Sequence, residues 1–300
     1  MGPSTPVEVG CSGWEKGTRT VDASLAALEF SQLVKRCDHL VRQPPLDRAC
    51  LLISAVFDRD ADIERCEAQL DDIADAARRS AGSATDSYAI AHAVSKELFT
   101  ERSFTGNTAN YDDPRNSLLS CVLERRSGIP ITLSIVLMEV ARRVGLALDG
   151  VGLPGHFVVR YPDATSRLFI DAFARGQILD ASDCIRMVDR QSSGRITWTD
   201  SFLEPVKPRA ILKRVLVNLK NSLSQAKNYA AALSAIELQL ALDPEDPTEL
   251  RDRGILFARL HRYDRAIADL EAYLERSPDA ADVKQIRDTV LRYLREARNL

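Results

Sequence analysis

Two residues of this chain carry the types and spacing for chemistry. His156 heads the alternating stretch HFVVRY, and Asp171 lies fifteen residues later in a second one, LFIDAF. An imidazole held by a carboxylate is the base half of a nucleophilic triad: the carboxylate sets the tautomer and stabilises the imidazolium. Such a pair acts on a nucleophile, and a thiol at a helix N-terminus is the most easily activated one. A metal centre would need a third ligand, and none stands at useful spacing from the pair. The remaining histidines, His39, His92 and His261, fall on helical patterns and read as packing or surface residues.

The elements that must position the pair follow from periodicity. HFVVRY and LFIDAF alternate and are rich in β-branched and aromatic residues, so they predict a hairpin over residues 151–173. Pairing Tyr161 with Ser166 leaves a four-residue loop, 162–165, and sets His156 directly opposite Asp171 on one face. A slip of one residue would separate them. Pro154 and Gly155 predict a sharp turn before the histidine, and Gly155 offers room for close approach of a ligand.

Upstream, residues 130–145 carry apolar side chains nearly all round, which predicts a buried core helix. Pro130 suits its first turn, Ser127 or Gly128 its cap, and Gly145 its end. From Leu25 to Arg102 apolar residues recur at three- and four-residue spacing, predicting further helices. The polar stretch Asn110 to Asn116 could rim a cleft. Within it Asp113 and Pro114 read as a helix cap, while Tyr111 and Asn116 stay open as binding residues.

The chain has 300 residues and a net charge of −3, with no basic block of the kind that marks a nucleic-acid footprint. No apolar run approaches the roughly 20 residues needed to cross a bilayer, so no membrane partner is expected. Residues 1–22 lack an apolar segment and read as a disordered leader. Six cysteines occur without a C-x-x-C pair, which predicts reduced, mostly buried thiols in a cytoplasmic protein.

Beyond residue 208 an internal repeat begins. Tyr229, Ala232, Glu237, Leu240 and Pro244 recur as Tyr263, Ala266, Glu271, Leu274 and Pro278, each 34 residues later. That period is the signature of tetratricopeptide repeats. Gly254 stands where the repeat wants a small residue, whereas the matching place in the first unit holds Lys220. Two units and a final helix leave apolar surface, so docking on the upstream domain is expected. Lys213, Lys220 and Arg251, with the face around Gly254, are the candidate groove residues for a protein partner.

A buried helix followed by a His strand and an Asp strand resembles the core of the transglutaminase-like branch of the papain-type superfamily. The phrases NYDDPRNSLLSCVLERRSGIPITLSIVLMEVARRVGL, GVGLPGHFVVR and FIDAF resemble more narrowly the bacterial SirB-type family, regulators of SirC expression with C-terminal tetratricopeptide repeats. The resemblance implies an α+β, mostly helical fold: a transglutaminase-like domain over 23–203 with a small antiparallel sheet, then an all-α repeat domain over 209–300. In active relatives the nucleophilic cysteine opens the core helix in a Gly-x-Cys phrase. Here that phrase is Gly128-Ile129-Pro130, so the resemblance places His156 and Asp171 at the base and orienter positions and Pro130 where the thiol belongs. Thr132 and Ser134 lie in the same helix but not at its first position, and Thr132 is kept as a binding residue.

Two readings follow. In the leading one the pair is a remnant in a non-catalytic adaptor or regulator that binds a protein or peptide, without cofactor. In the other, an amide or ester hydrolase or acyltransferase uses the pair with an unrecognised nucleophile or water. A plain structural role, a polar pair satisfied beneath the hairpin, competes with ligand contact in the first reading. A Ser, Thr or Cys atom within hydrogen-bond reach of the His156 ring would separate the two readings.

Overall fold

The computed structural model of the protein describes residues 22–161 and 167–298. The expected leader, apart from Asp22, and the expected loop 162–165 lie outside the described residues. Asp22 itself caps the first helix, accepting from the backbone N–H of Ser24 at 2.7 Å.

The described residues form two compact units that divide between Val215 and Leu216. The first opens with four helices, α1 (Ala23–His39), α2 (Leu46–Phe57), α3 (Ile63–Ala81) and α4 (Ser87–Lys96), the last running into a π turn over Glu97–Glu101. Asp62 and Asp86 cap α3 and α4 with their carboxylates. The short strand β1 (Thr105–Gly106) pairs in parallel with β2 (Ser127–Gly128), and between them come a 3₁₀ turn, Pro114–Ser117, and α5 (Leu119–Arg125).

α6 (Pro130–Arg143) is the core helix, with Pro130 at its first position and most of its residues buried. Its cap is Ile129, because Ser127 and Gly128 are engaged in β2. At its far end Arg143 holds two buried carboxylates, Asp47 Oδ2 at 2.7 Å and Glu139 Oε2 at 3.1 Å.

The four-stranded sheet runs β3 (Asp149–Val151), β4 (Val158–Arg160), β5 (Phe169–Asp171) and β6 (Gln177–Leu179), each antiparallel to the next. Val151, Val158, Phe169 and Leu179 meet α7 (Ala181–Ser192) through Cys184 and Val188 in one apolar cluster. α8 (Pro208–Gln225) begins in the first unit, where Ile211, Leu212 and Val215 are buried. The division therefore falls seven residues beyond the start expected for the repeat domain.

The second unit continues α8 and adds α9 (Tyr229–Leu242), α10 (Pro247–Arg259), α11 (Tyr263–Arg276) and α12 (Val283–Arg298). Pro244 and Pro278 sit in the turns that follow α9 and α11. Between α11 and α12, Ile267, Leu270 and Tyr273 pack on Ile286 and Val290. His261 is not helical: it occupies the turn before α11 with φ of 56°. Gly254 lets α10 approach α11, since an added Cβ would stand 2.8 Å from Leu270 Cγ and 3.0 Å from the Ala266 carbonyl oxygen. The backbone oxygen cannot turn aside, so Gly254→Val should lower the unfolding free energy by about 1–3 kcal/mol, read by urea titration. No helix among the described residues is long and apolar enough to cross a membrane.

Candidate functional site

His156 lies just before β4, in the chain that leaves the turn at Pro154 and Gly155, and Asp171 closes β5. The register differs from the expected one by two residues: Val159 faces Ile170, Arg160 faces Phe169, and the Tyr161 N–H donates to the Leu168 carbonyl at 2.8 Å. An even shift preserves the face, so His156 meets Asp171 diagonally rather than directly opposite. The imidazole Nε2 lies 3.0 Å from Asp171 Oδ2, and both residues are buried. The second carboxylate oxygen accepts from the backbone N–H groups of Phe173 at 2.9 Å and Ala174 at 3.2 Å. Asp171 is thus held from two sides. With a carboxylate as acceptor, Nε2 carries the hydrogen, and Nδ1 has no hydrogen bond among the described residues. That bond to Asp171 is the only hydrogen bond of the ring among the described residues.

Truncating Asp171 to alanine leaves a buried imidazole donor unpaired. The expected loss is about 1–3 kcal/mol of stability, measured as a shift of the thermal midpoint converted with the unfolding enthalpy.

An aromatic row connects the pair to the start of α6. The Phe173 ring lies edge-on to the His156 ring at 6.0 Å and to the Tyr111 ring at 5.9 Å. Phe173 also covers Gly106, where a Cβ would come within 2.6 Å of the ring. Gly106 pairs with Gly128, two residues before Pro130. The histidine, the aromatic wall and the helix start therefore share one neighbourhood.

Neither hydroxyl of α6 hydrogen-bonds the imidazole. Thr132 Oγ1 donates to the Asn116 carbonyl at 2.8 Å and accepts from the Ile129 N–H at 3.2 Å, which locks the helix start. Ser134 Oγ is buried without a hydrogen-bond partner, so it does not reach the imidazole. Five cysteines lie among the described residues, all buried and none in a disulfide. Burial, with carboxylates nearby, pushes the Cys66 and Cys184 thiols up to about 12 and Cys50 still further, the opposite of an activated thiolate. Cys121 points its sulfur to Asp58 Oδ2 at 3.6 Å.

The other candidate residues divide. Asn116 is a buried strut: its amide donates to the carbonyls of Asn110 at 2.8 Å and Tyr111 at 3.0 Å and accepts from Asn107 at 2.9 Å. Asp113 caps the 3₁₀ turn with Pro114 at its first position. Tyr111 is exposed and its ring joins the aromatic row. Gly155 adopts φ of +75°, but the side chain packed against it is Gln191, whose amide, once rotated, donates to the carbonyls of Gly155 and Pro154. The close approach expected of a ligand is therefore made by Gln191. A cavity of about 370 Å³ opens at this turn between Pro154, Gly155, Gln191, Ser192, Arg195 and Ile196.

Of the candidate groove cations, Lys220 is buried and bonds Glu249 at 2.9 Å and Asp252 at 2.7 Å, so it faces the interior and not a groove. Arg251 is half-buried and paired with Asp252 and Asp282. Lys213 is half-buried in the first unit.

Arg214 escaped sequence reasoning. Its Nη2 donates to the carbonyls of Leu153 at 2.9 Å and His156 at 2.7 Å, and the guanidinium carbon stands 5.7 Å from the centre of the Phe157 ring. It comes from α8, 58 residues after the histidine, and nothing in local spacing marks it. Among the described residues no group of three or more His, Cys, Asp or Glu is placed to hold a metal.

A helix start, a histidine strand and an aspartate strand joined to helical repeats define a transglutaminase-like protein with a repeat module. In keeping with this, the description "Transglutaminase-like superfamily" matches residues 64–217, and "Tetratricopeptide repeat" matches residues 219–290. A UPF0162 protein of Xylella fastidiosa is 39% identical over 199 residues, 65% of this chain and 70% of its own. A UPF0162 protein of Pseudomonas aeruginosa is 31% identical over 249 residues, 82% of this chain and 90% of its own. Protein SirB1 of Salmonella typhimurium is 26% identical over 190 residues, 63% of this chain and 71% of its own. The chain belongs to this family of transglutaminase-like proteins that includes UPF0162 and SirB1. No solved structure matches it.

Proposed function

We propose that the protein is a non-catalytic adaptor or regulator, in which the transglutaminase-like unit recognises a protein or peptide at the surface over the buried His156–Asp171 pair. The observation that supports this most is the pairing of an intact base and orienter with Pro130 at the helix start. Proline has no side-chain nucleophile and removes an N–H from the helix terminus that would stabilise a thiolate. The ring nitrogen Nδ1 is then open to a donor on a bound partner rather than to a thiol of the protein. Tetratricopeptide repeats form surfaces suited to protein partners. Since Lys220 and Arg251 are engaged in internal ion pairs, recognition by the repeats rests on other side chains.

Affinity capture from cell extract with the full chain beside His156→Ala tests the reading. A protein retained by the wild type, identified, purified and bound again directly, should lose at least about tenfold in affinity with the variant. Equal affinity for wild type and variant would remove the surroundings of His156 from the recognition surface.

A second reading takes support from the same open Nδ1. A water bound there could be activated for hydrolysis, as a general base requires no side-chain nucleophile. Hydrolysis of a peptide or ester that depends on His156 but on no Cys, Ser or Thr is its signature.

A further inference from the structure

α1 carries more apolar surface than the fold covers. Its buried face, Ala26, Phe30, Leu33, Val34 and Cys37, is ordinary core, yet Leu25 is 49% exposed and Leu28 52%. Leu40 and Val41 add two more exposed apolar side chains just past its end. Four of the ten large exposed ones among the described residues therefore lie on this one helix and its cap. A single exposed leucine is normal, whereas a cluster on one element marks a contact surface.

The exposed leucines are continuous with a groove. Leu25, Leu28, Gln32 and Arg36 recur at three- and four-residue spacing, so they form one stripe along α1. Glu29, Gln32, Leu33 and Arg36 make one wall of a cavity of about 570 Å³, and Arg48 and Leu52 of α2 make the other. Leu33 and Leu52 are buried and give it an apolar floor. From Leu25 to Arg36 the stripe runs about 16 Å, roughly three turns of helix.

The charge along the stripe is one-sided. Arg48 already has Glu67 at 3.4 Å and Glu29 at 3.8 Å, and Asp38 is taken by Arg209. The side chains of Lys35, Arg36 and Arg42 have neither ion pair nor hydrogen bond among the described residues. The helix macrodipole accounts for cations in the last turn of α1, but it does not account for Leu25 and Leu28 and supplies no acid to Arg36.

We propose that the groove of α1 and α2 seats an amphipathic helix of a partner protein, its apolar side chains on Leu25 and Leu28 and a carboxylate on Arg36. Helix-in-groove recognition reads anchors at three- and four-residue spacing, which the stripe matches. The unpaired cations lie toward one end, so charge complementarity sets the direction of the partner helix as well as its acidity. The surface shares no residue with the one over His156 and Asp171, and both helices precede residues 64–217. It stands or falls apart from the recognition reading above.

The test places the photo-crosslinker p-benzoylphenylalanine at position 28, 32 or 185 of the full chain in living cells. Ile185, an exposed apolar residue of α7, is the control site. Irradiation and mass spectrometry should join positions 28 and 32, but not 185, to one segment of one protein. That segment should carry apolar residues at three- and four-residue spacing and an Asp or Glu at the end near Arg36. Made as a peptide, it should bind the purified chain, and Leu28→Asp and Arg36→Glu should each weaken it about tenfold. Exchanging the acid of the peptide for arginine should restore most of the loss in Arg36→Glu, a rescue that a damaged fold would not allow. Both substitutions are at exposed side chains, so one remains decisive if the other misfolds. Crosslinks only to residues 1–21 of the same chain, to a second copy or to lipid overturn the proposal, as does the absence of any crosslink. A peptide without an acid, or one whose binding ignores both substitutions, overturns it equally.

Discussion

Replacing Arg143 with methionine should lower the unfolding free energy by about 3–5 kcal/mol at neutral pH. Arg143 binds Asp47 at 2.7 Å, Glu139 at 3.1 Å and Asp71 at 2.7 Å. Asp47 and Glu139 are both buried, and Arg142, their remaining cation, is more than half exposed. The variant therefore leaves two carboxylates facing each other with one weakly placed counter-charge. Burial alone would raise the Asp47 pKa, but hydrogen bonds from Arg143 and the Arg48 N–H, with the arginine charges, bring it below the usual carboxylate range. Its stabilisation is present above pH of about 4 and is lost as pH falls through the depressed folded value. Glu139 goes the other way: burial, then the Asp47 charge, raise it, so it favours the fold at low pH and opposes it as pH rises through the folded value. The deficit of the variant should accordingly shrink below pH of about 4, where both carboxyls take up protons. A deficit independent of pH would assign the loss to packing of the arginine stem.

Lys220→Ala should destabilise the repeat unit by a similar amount, about 3–5 kcal/mol, because Glu249 is left buried without its cation. Asp252 suffers less, since Arg251 still binds it at 3.0 Å. Adding Glu249→Leu to Lys220→Met should restore most of the stability, as replacing a buried ion pair by apolar side chains of similar size is often close to neutral. Urea titration of both variants decides the matter. A change below about 1 kcal/mol for Lys220→Ala would show that the pair is hydrated and not structural.

These two networks mark where the sequence was legible and where it was not. The 34-residue period exposed the repeats because their packing is local: small Ala266 and Gly254 appear where neighbouring helices touch. Lys220 read as a departure, and its partners come from α10, a helix whose approach no local pattern gives. The pair His156–Asp171 was legible through the two-residue period of a strand, which fixes the face. Its exact register was not, since the number of residues in the loop after Tyr161 decides it and turn-forming residues do not count themselves. Asn116, read as part of a cleft rim, and Thr132, read as a binding residue of the core helix, each close backbone hydrogen bonds around the start of α6. Arg214 was missed altogether, because its task is visible only once α8 lies against the turn before His156.

The central claim is that the His156–Asp171 pair serves no activated nucleophile of its own chain. Time-resolved mass spectrometry of the full chain treated with iodoacetamide and with a fluorophosphonate, beside His156→Ala, tests it most directly. The account predicts slow modification of ordinary thiols, no modified serine or threonine, and identical rates in the variant. Rapid modification of a single Cys, Ser or Thr that disappears in His156→Ala would contradict it and make the protein an enzyme.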